Sequence, residues 1–129
     1  MALLPDASLQ GRFGARCGAL AVGVLWGLWH LPLNLFFYSP DTSLQSIAAQ
    51  LVVCVTLGVF FTFAYEKCGK NIWLPVVLHY LNNSMVLVWT GTADISNQII
   101  SWTDVAISAI MYGVVFLPFL AAKCYRKNK

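Results

Sequence analysis

His30 and His79, the two histidines of the chain, both lie in stretches too apolar to face water, and Asn83 follows His79 by one helical turn. Ionisable and strongly polar side chains are costly in hydrocarbon, so their presence there marks a functional site by default. His79 and Asn83 are four residues apart, which on a helix puts both side chains on one face where they can contact one ligand. The same spacing aligns Trp26, His30 and Asn34, although Pro32 disturbs that register by removing a backbone hydrogen bond. Pro75 likewise precedes His79 by four residues. Backbone groups freed by such breaks are tolerated at membrane depth only when buried in protein or lining a polar cavity. Spacing alone leaves two readings open: a catalytic or ligand site, or interhelical hydrogen bonds contributing ~1 kcal/mol each. A zinc site is a weaker reading, because two histidines are part of the usual three-ligand catalytic set and no HExxH occurs. Cys54, alone within an apolar stretch, fits core packing better than ligation.

These residues need a membrane-spanning scaffold. With 59% hydrophobic and 10% charged residues and a mean hydropathy of +0.70, the composition is that of an integral membrane protein. Four segments, 17–37, 47–65, 72–89 and 105–125, approach the ~20 apolar residues a bilayer core requires. The expected fold is therefore all-α: a polytopic membrane helical bundle of about four transmembrane helices, with residues 1–129 forming one domain. The basic residues segregate completely. Arg12 and Arg16 precede the first span, Lys67 and Lys70 follow the second, and Lys123, Arg126, Lys127 and Lys129 end the chain, while the connections 39–46 and 90–104 carry only Asp41, Asp94 and Asp104. Positive residues stay on the cytoplasmic side, so both termini and the second loop are expected inside. The net charge of +3 thus reports topology, and no nucleic-acid partner is expected, since the basic residues form no continuous face.

Cysteines at 17, 54, 68 and 124 form no CxxC pair and indicate neither a disulfide framework nor a zinc knuckle. The first apolar run is too long for a signal h-region and lacks a small-residue cleavage site, so it reads as a retained helix. Segment 3–13 is moderately amphipathic and is expected along the cytoplasmic interface. Gly23 and Gly27 form a small-xxx-small pattern that would admit a close helix neighbour beside His30. Ser39, Pro40 and Asp41 supply turn chemistry after the first crossing. Residues 95–102 are expected at the outer interface, with Trp89 and Trp102 as headgroup anchors.

The local sequences add a resemblance. Trp26-Gly-Leu-Trp-His30-Leu-Pro-Leu, followed some fifty residues on by Asn71-Ile-Trp-Leu-Pro-Val-Val-Leu-His79-Tyr-Leu-Asn-Asn83-Ser, resembles the second and third motifs of the CPBP family of intramembrane proteases. These are the CAAX-processing and bacteriocin-protection proteins, also called the Abi family. The resemblance covers most of residues 3–89, so the chain resembles the C-terminal part of such a protease domain.

The resemblance implies an intramembrane endopeptidase of the cell membrane of a bacterium, cleaving a membrane-associated peptide or protein that is CAAX-like or prenylated, in contact with membrane lipid. His30 would help to activate a water, and His79 and Asn83 would bind the oxyanion. In the family's alternative mechanism a divalent metal such as zinc is used, with His30 and His79 among its ligands; no cofactor is assigned beyond that. The chain departs from the family in one motif. The glutamate motif EExxxR would lie just upstream of the segment starting at Leu3, and the sequence starts at Met1, so an N-terminally truncated form is expected. Glu66, the one glutamate, belongs to the cytoplasmic end of the second span and is a poor general base. A non-catalytic protein of the same fold, serving bacteriocin immunity or scaffolding, is the rival. Depth sets a further constraint: at about 1.5 Å per residue, His30 lies ~21 Å beyond Arg16 and His79 ~12 Å beyond Asn71, a difference that tilt, a kink or a later helix start would absorb.

The charge pattern gives a direct expectation. In a background lacking the native cysteines, single cysteines at positions 41 and 94 should label in intact cells, and those within 66–70 only after the membrane is opened. Labelling of position 41 only after opening would refute the topology.

Overall fold

Gly14 separates the start of the chain from its first crossing. The computed structural model describes residues 3–92 and 94–125, and for 3–13, 86, 87, 89, 90 and 124 it describes the backbone alone. Helix α1 (Leu3–Trp29) runs through Gly14, whose backbone (φ 82, ψ 158) is non-helical and lies in a region that only glycine enters without strain. Segment 3–13 is thereby set off from the span, as the sequence pattern suggests. The expected anchor Trp89 and the basic residues Arg12, Arg126, Lys127 and Lys129 lie outside the described side chains.

After α1 come a short turn α2 (Leu31–Leu33), a π-helical turn (Asn34–Tyr38), a 3-10 turn (Pro40–Thr42) and the long helix α3 (Ser43–Lys67). Helix α4 (Trp73–Thr90) and helix α5 (Trp102–Phe116) follow, then 3-10 turns at Leu117–Ala121 and Lys123–Tyr125. Among the described residues every regular element is helical, and the chain is a polytopic helical membrane protein. Three stretches, Gly14–Tyr38, Pro40–Lys67 and Trp102–Ala121, are long and apolar enough to cross a membrane. Helix α4 forms where the remaining crossing was expected, and its 18 residues would rise ~27 Å. It does not reach the same apolarity, because His79, Asn82 and Asn83 interrupt its middle.

The last helix begins earlier than the expected 105. Ser101 caps it: its hydroxyl accepts from Asp104 N at 3.2 Å, while Asp104 Oδ2 accepts from Ser101 N at 2.8 Å. This reciprocal pair satisfies donors that the first helical turn leaves unpaired. Pro118 converts the other end to a 3-10 turn.

Helix α3 is central. On one side it meets α1 along Gly23, Gly27 and Gly58, where the two backbones touch. A Cβ built on Gly23 would lie 2.5 Å from Val55 Cα, and one on Gly27 2.7 Å from Leu51 Cδ1. The small-residue pattern of α1 is therefore a packing seam, with Ala19, Cys54 and Val59 fully buried around it. On its other side α3 meets α5 through aromatic rings, with Phe60 5.3 Å from Phe116 and Phe63 4.8 Å from Phe119 between centroids. Tyr125 closes this arrangement by packing on Ala15 and Ala19 and donating its hydroxyl to Val59 O at 2.6 Å.

The two connections without basic residues are hydrogen-bonded to each other. Asn97 N donates to Phe37 O and Gln98 N to Tyr38 O, and Ile100 N donates to Thr42 Oγ1 at 2.9 Å. Beside them, Asp94 accepts from the backbone and hydroxyl of Ser96, and the hydroxyl bond first, then the backbone bond, holds its carboxyl below the usual carboxylate range. At the opposite end, Tyr125 beside Ala15 brings the exposed Arg16 and Lys123 to the same end of the bundle as Lys67. The segregation of charge along the sequence is thus a segregation between two ends of one bundle.

The glycine seam makes a measurable demand. Gly23→Ala should lower stability in detergent by about 1–3 kcal/mol, the usual cost of overpacking. Gly113→Ala, whose added methyl would meet only Leu117 Cδ1 at 3.7 Å, should change it by less than about 0.5 kcal/mol. Equal losses in denaturant titrations of the two variants would show that the seam is not close-packed.

Candidate active site

Proline 32 cannot donate a backbone hydrogen bond, and the helix gives way just before it. His30 takes φ −82 and ψ −3, and its N–H turns to Gly27 O at 3.1 Å in place of the carbonyl four residues back. That carbonyl belongs to Trp26. Its partner is the imidazole of His30 itself, with Nδ1 2.8 Å from Trp26 O. A carbonyl oxygen only accepts, so in this bond Nδ1 carries the proton and Nε2 keeps its lone pair. The local break thus sets the tautomer of the ring and leaves a basic nitrogen facing away from the helix.

The same turn is held from below. His30 O accepts from Asn34 N at 3.0 Å and from Asn34 Nδ2 at 2.9 Å. Asn34 Oδ1 in turn accepts from Ser46 Oγ, on α3, at 2.5 Å. Asn34 is 1% exposed and Ser46 4%, so the link is sheltered from competing water. Asn34 opens the π-helical turn, a widening that is frequent at functional sites.

Trp26 joins the two histidines. Its indole lies 6.1 Å from the His30 ring in an edge-on arrangement and 4.9 Å from the His79 ring. Phe61, from α3, completes the contact at 5.8 Å from Trp26 and 6.3 Å from His79. A later helix start does not absorb the depth difference expected from the sequence. The span starts at Gly14, two residues before Arg16, which lengthens the rise to His30 to ~24 Å. Trp26 stands one turn nearer the basic end than His30, and through its indole the two histidine rings share one neighbour.

Both histidines are half-buried, and Asn83 is exposed on the same face of α4 as His79. Among the described residues the Asn83 side chain makes no hydrogen bond, while its neighbour Ser84 turns back to Tyr80 O. His30 and His79 are thus brought to one aromatic ring, with the Asn83 amide one turn beyond and open. The described carboxylates sit at element ends: Glu66 in the last turn of α3, Asp41 and Asp94 in the connections, and Asp104 in the α5 cap. Among the described residues no three His, Cys, Asp or Glu side chains gather closely enough to hold a metal ion. His30 and His79 alone fall short of the three protein ligands a catalytic zinc takes, so these residues do not by themselves make a zinc site.

Two contributors were not visible in the sequence. Phe61 is one of several aromatic residues in α3, and nothing in its spacing singles it out. Ser46 looks like an ordinary first-turn serine of that helix.

Residues 3–85, which hold every one of these side chains and end before α5, match the family model described as type II CAAX prenyl endopeptidase Rce1-like. A similar curated protein is CAAX prenyl protease 2 of Methanococcus maripaludis, 31% identical over 81 residues, which are 59% of this chain and 30% of that relative. The chain therefore aligns with less than a third of the relative's length. No solved structure matches. Since the matched segment is the one that gathers both histidine motifs around Trp26, the kinship implied by those motifs holds: this chain belongs to the Rce1-like family of type II CAAX prenyl endopeptidases, within the CPBP proteases.

Proposed function

We propose that this chain carries the histidine half of an intramembrane CAAX-type endopeptidase, and that its substrate is a membrane-associated CAAX-like or prenylated peptide. The observation that carries the reading is the bond from His30 Nδ1 to Trp26 O, which leaves Nε2 as an acceptor at a sheltered position across one indole from His79. In this reading Nε2 of His30 takes a proton from water as the oxygen attacks the scissile carbonyl. The bond from Nδ1–H to Trp26 O strengthens as the ring becomes cationic, since charge-assisted hydrogen bonds are stronger than neutral ones. The ring of His79 and the amide of Asn83 donate to the oxyanion, each such donor being worth about 10²–10³ in rate. The proton on His30 then passes to the departing amine, so water is consumed and an acid and an amine are formed.

The Rce1-like match supports this chemistry, and the open face of α4 leaves room for an extended peptide beside His79 and Asn83. The basic end of the bundle, with Arg16, Lys67, Lys70 and Lys123, is assigned to the cytoplasm. No described carboxylate lies on the helix segments around Trp26, so the glutamates of the family's first motif are assigned to a segment outside residues 1–129.

Reconstituted into liposomes with a fluorogenic prenylated peptide, the chain alone should turn over slowly. Joined to an upstream segment ending in EExxxR, it should gain about 10²–10⁴-fold, the usual contribution of general acid–base catalysis. His30→Ala or Asn83→Ala in that extended chain should remove at least about 10²-fold. Full activity without the segment would move the base onto this chain. An extended chain inert on every peptide tried would point to the non-catalytic role in immunity or scaffolding.

A further inference from the structure

The geometry points to Asn34 and Ser46 as positioning residues that set which imidazole nitrogen of His30 carries the proton. This rests on His30 acting as the base, but its test does not. Asn34 is buried and touches none of the groups assigned to the reaction. Its amide N–H₂ and its backbone N–H both donate to His30 O, which fixes the residue at the turn where the helix breaks. That break turns His30 N toward Gly27 O and leaves Trp26 O for the ring.

An asparagine amide can face its partner with either end, and only one end suits this place. If its oxygen faced His30 O, two acceptors would oppose each other. His30 O, which can only accept, therefore takes the N–H₂ end, and the Ser46 hydroxyl donates to the Oδ1 end that remains. Ser46 also lies on α3, so the turn of the first span is tied to the central helix that carries Phe61. The linkage runs from the Ser46 hydroxyl through the Asn34 amide and the His30 carbonyl to the His30 ring, and each bond in it has one direction of donation. Remove the hydroxyl and Asn34 Oδ1 is left buried without a donor, and the turn loses its tie to α3. Pro32 still interrupts the helix, but the untied turn no longer holds His30 N at Gly27 O, so that N–H competes for Trp26 O and the ring loses its fixed partner.

The tautomer can be read without any cleavage. The full chain, labelled with ¹⁵N-histidine in micelles, has two histidines, and His79→Gln assigns the remaining signals to His30. The wild-type ring should be protonated at Nδ1. Ser46→Ala and Asn34→Leu should lose that preference, and Ser46→Thr, which keeps the hydroxyl, should retain it. Ser46→Ala removes one oxygen and decides the matter if Asn34→Leu does not fold by circular dichroism. In the extended, active chain, Ser46→Ala should lower kcat by about 10–100-fold, as loss of an orienting partner of a functional histidine typically does, with KM little changed and Ser46→Thr restoring the rate. An Nδ1–H tautomer unchanged in the folded Ser46→Ala chain would overturn the proposal. A tautomer that shifts while no chain, wild type included, cleaves any peptide would uphold the positioning role and defeat the protease reading instead.

Discussion

In hydrocarbon a backbone carbonyl needs a donor from within the protein, and the candidate site is built on the way one such carbonyl is satisfied. Pro32 interrupts the donor series of the first span, and the chain before it tightens so that Trp26 O is left without its usual partner. A soluble protein could give that oxygen to water. At membrane depth the imidazole of His30 supplies the donor. The same bond satisfies the backbone and fixes the orientation of the imidazole, so the structural need and the one the proposed reaction makes are met by a single group.

That bond survives only if the first span is held rigidly, which explains the close glycine seam. Without a hydrophobic drive between helices in lipid, association depends on close packing and interhelical hydrogen bonds. The α1–α3 pair has both: backbone contact at Gly23 and Gly27, and the Ser46–Asn34 bond one end further along. Tyr125 adds a third tie near the basic end through Val59 O. Helix α4 is less firmly held. It touches this framework through His79 on Trp26 and Phe61, and much of its surface is exposed. The proposed role of α4 fits this looser hold, since Asn83 stays exposed one turn beyond His79.

How much of this could be read from the residues alone varies with the physics involved. Helices, the break after Gly14 and the two charged ends follow from composition and local chemistry, which act within a few residues. The Gly23–Gly27 seam was half legible, because the spacing admits a close neighbour but glycine is common in membrane helices without one. The alignment of Trp26, His30 and Asn34 was also legible, but its consequence was not. Spacing places Asn34 on the face of His30 without showing that its amide binds the backbone of His30 instead of a ligand. Phe61 and Ser46 were hidden because their roles depend on which residue of α1 lies opposite them, and pairing between helices leaves no mark in either segment alone. Helix α4 forms at the place of the fourth expected crossing, and the cluster of His79, Asn82 and Asn83 in its middle sets it apart from the three stretches apolar enough to cross by composition.

In the proposed reaction the indole of Trp26 stands between two ionisable rings. If His30 and His79 both became cationic, they would repel each other across a medium of low dielectric constant, so one ring must stay neutral while the other takes a proton. In that proposed reaction the proton goes to Nε2 of His30 because its Nδ1 is backed by the Trp26 carbonyl, next to which a developing positive charge would fall. His79 has no such oxygen among its described contacts; it is flanked by the π faces of Trp26 and Phe61. The two histidines are chemically alike in sequence, and their surroundings differ: the His30 ring bonds a backbone carbonyl, and the His79 ring packs on two aromatic side chains, the difference on which the proposed division of work rests.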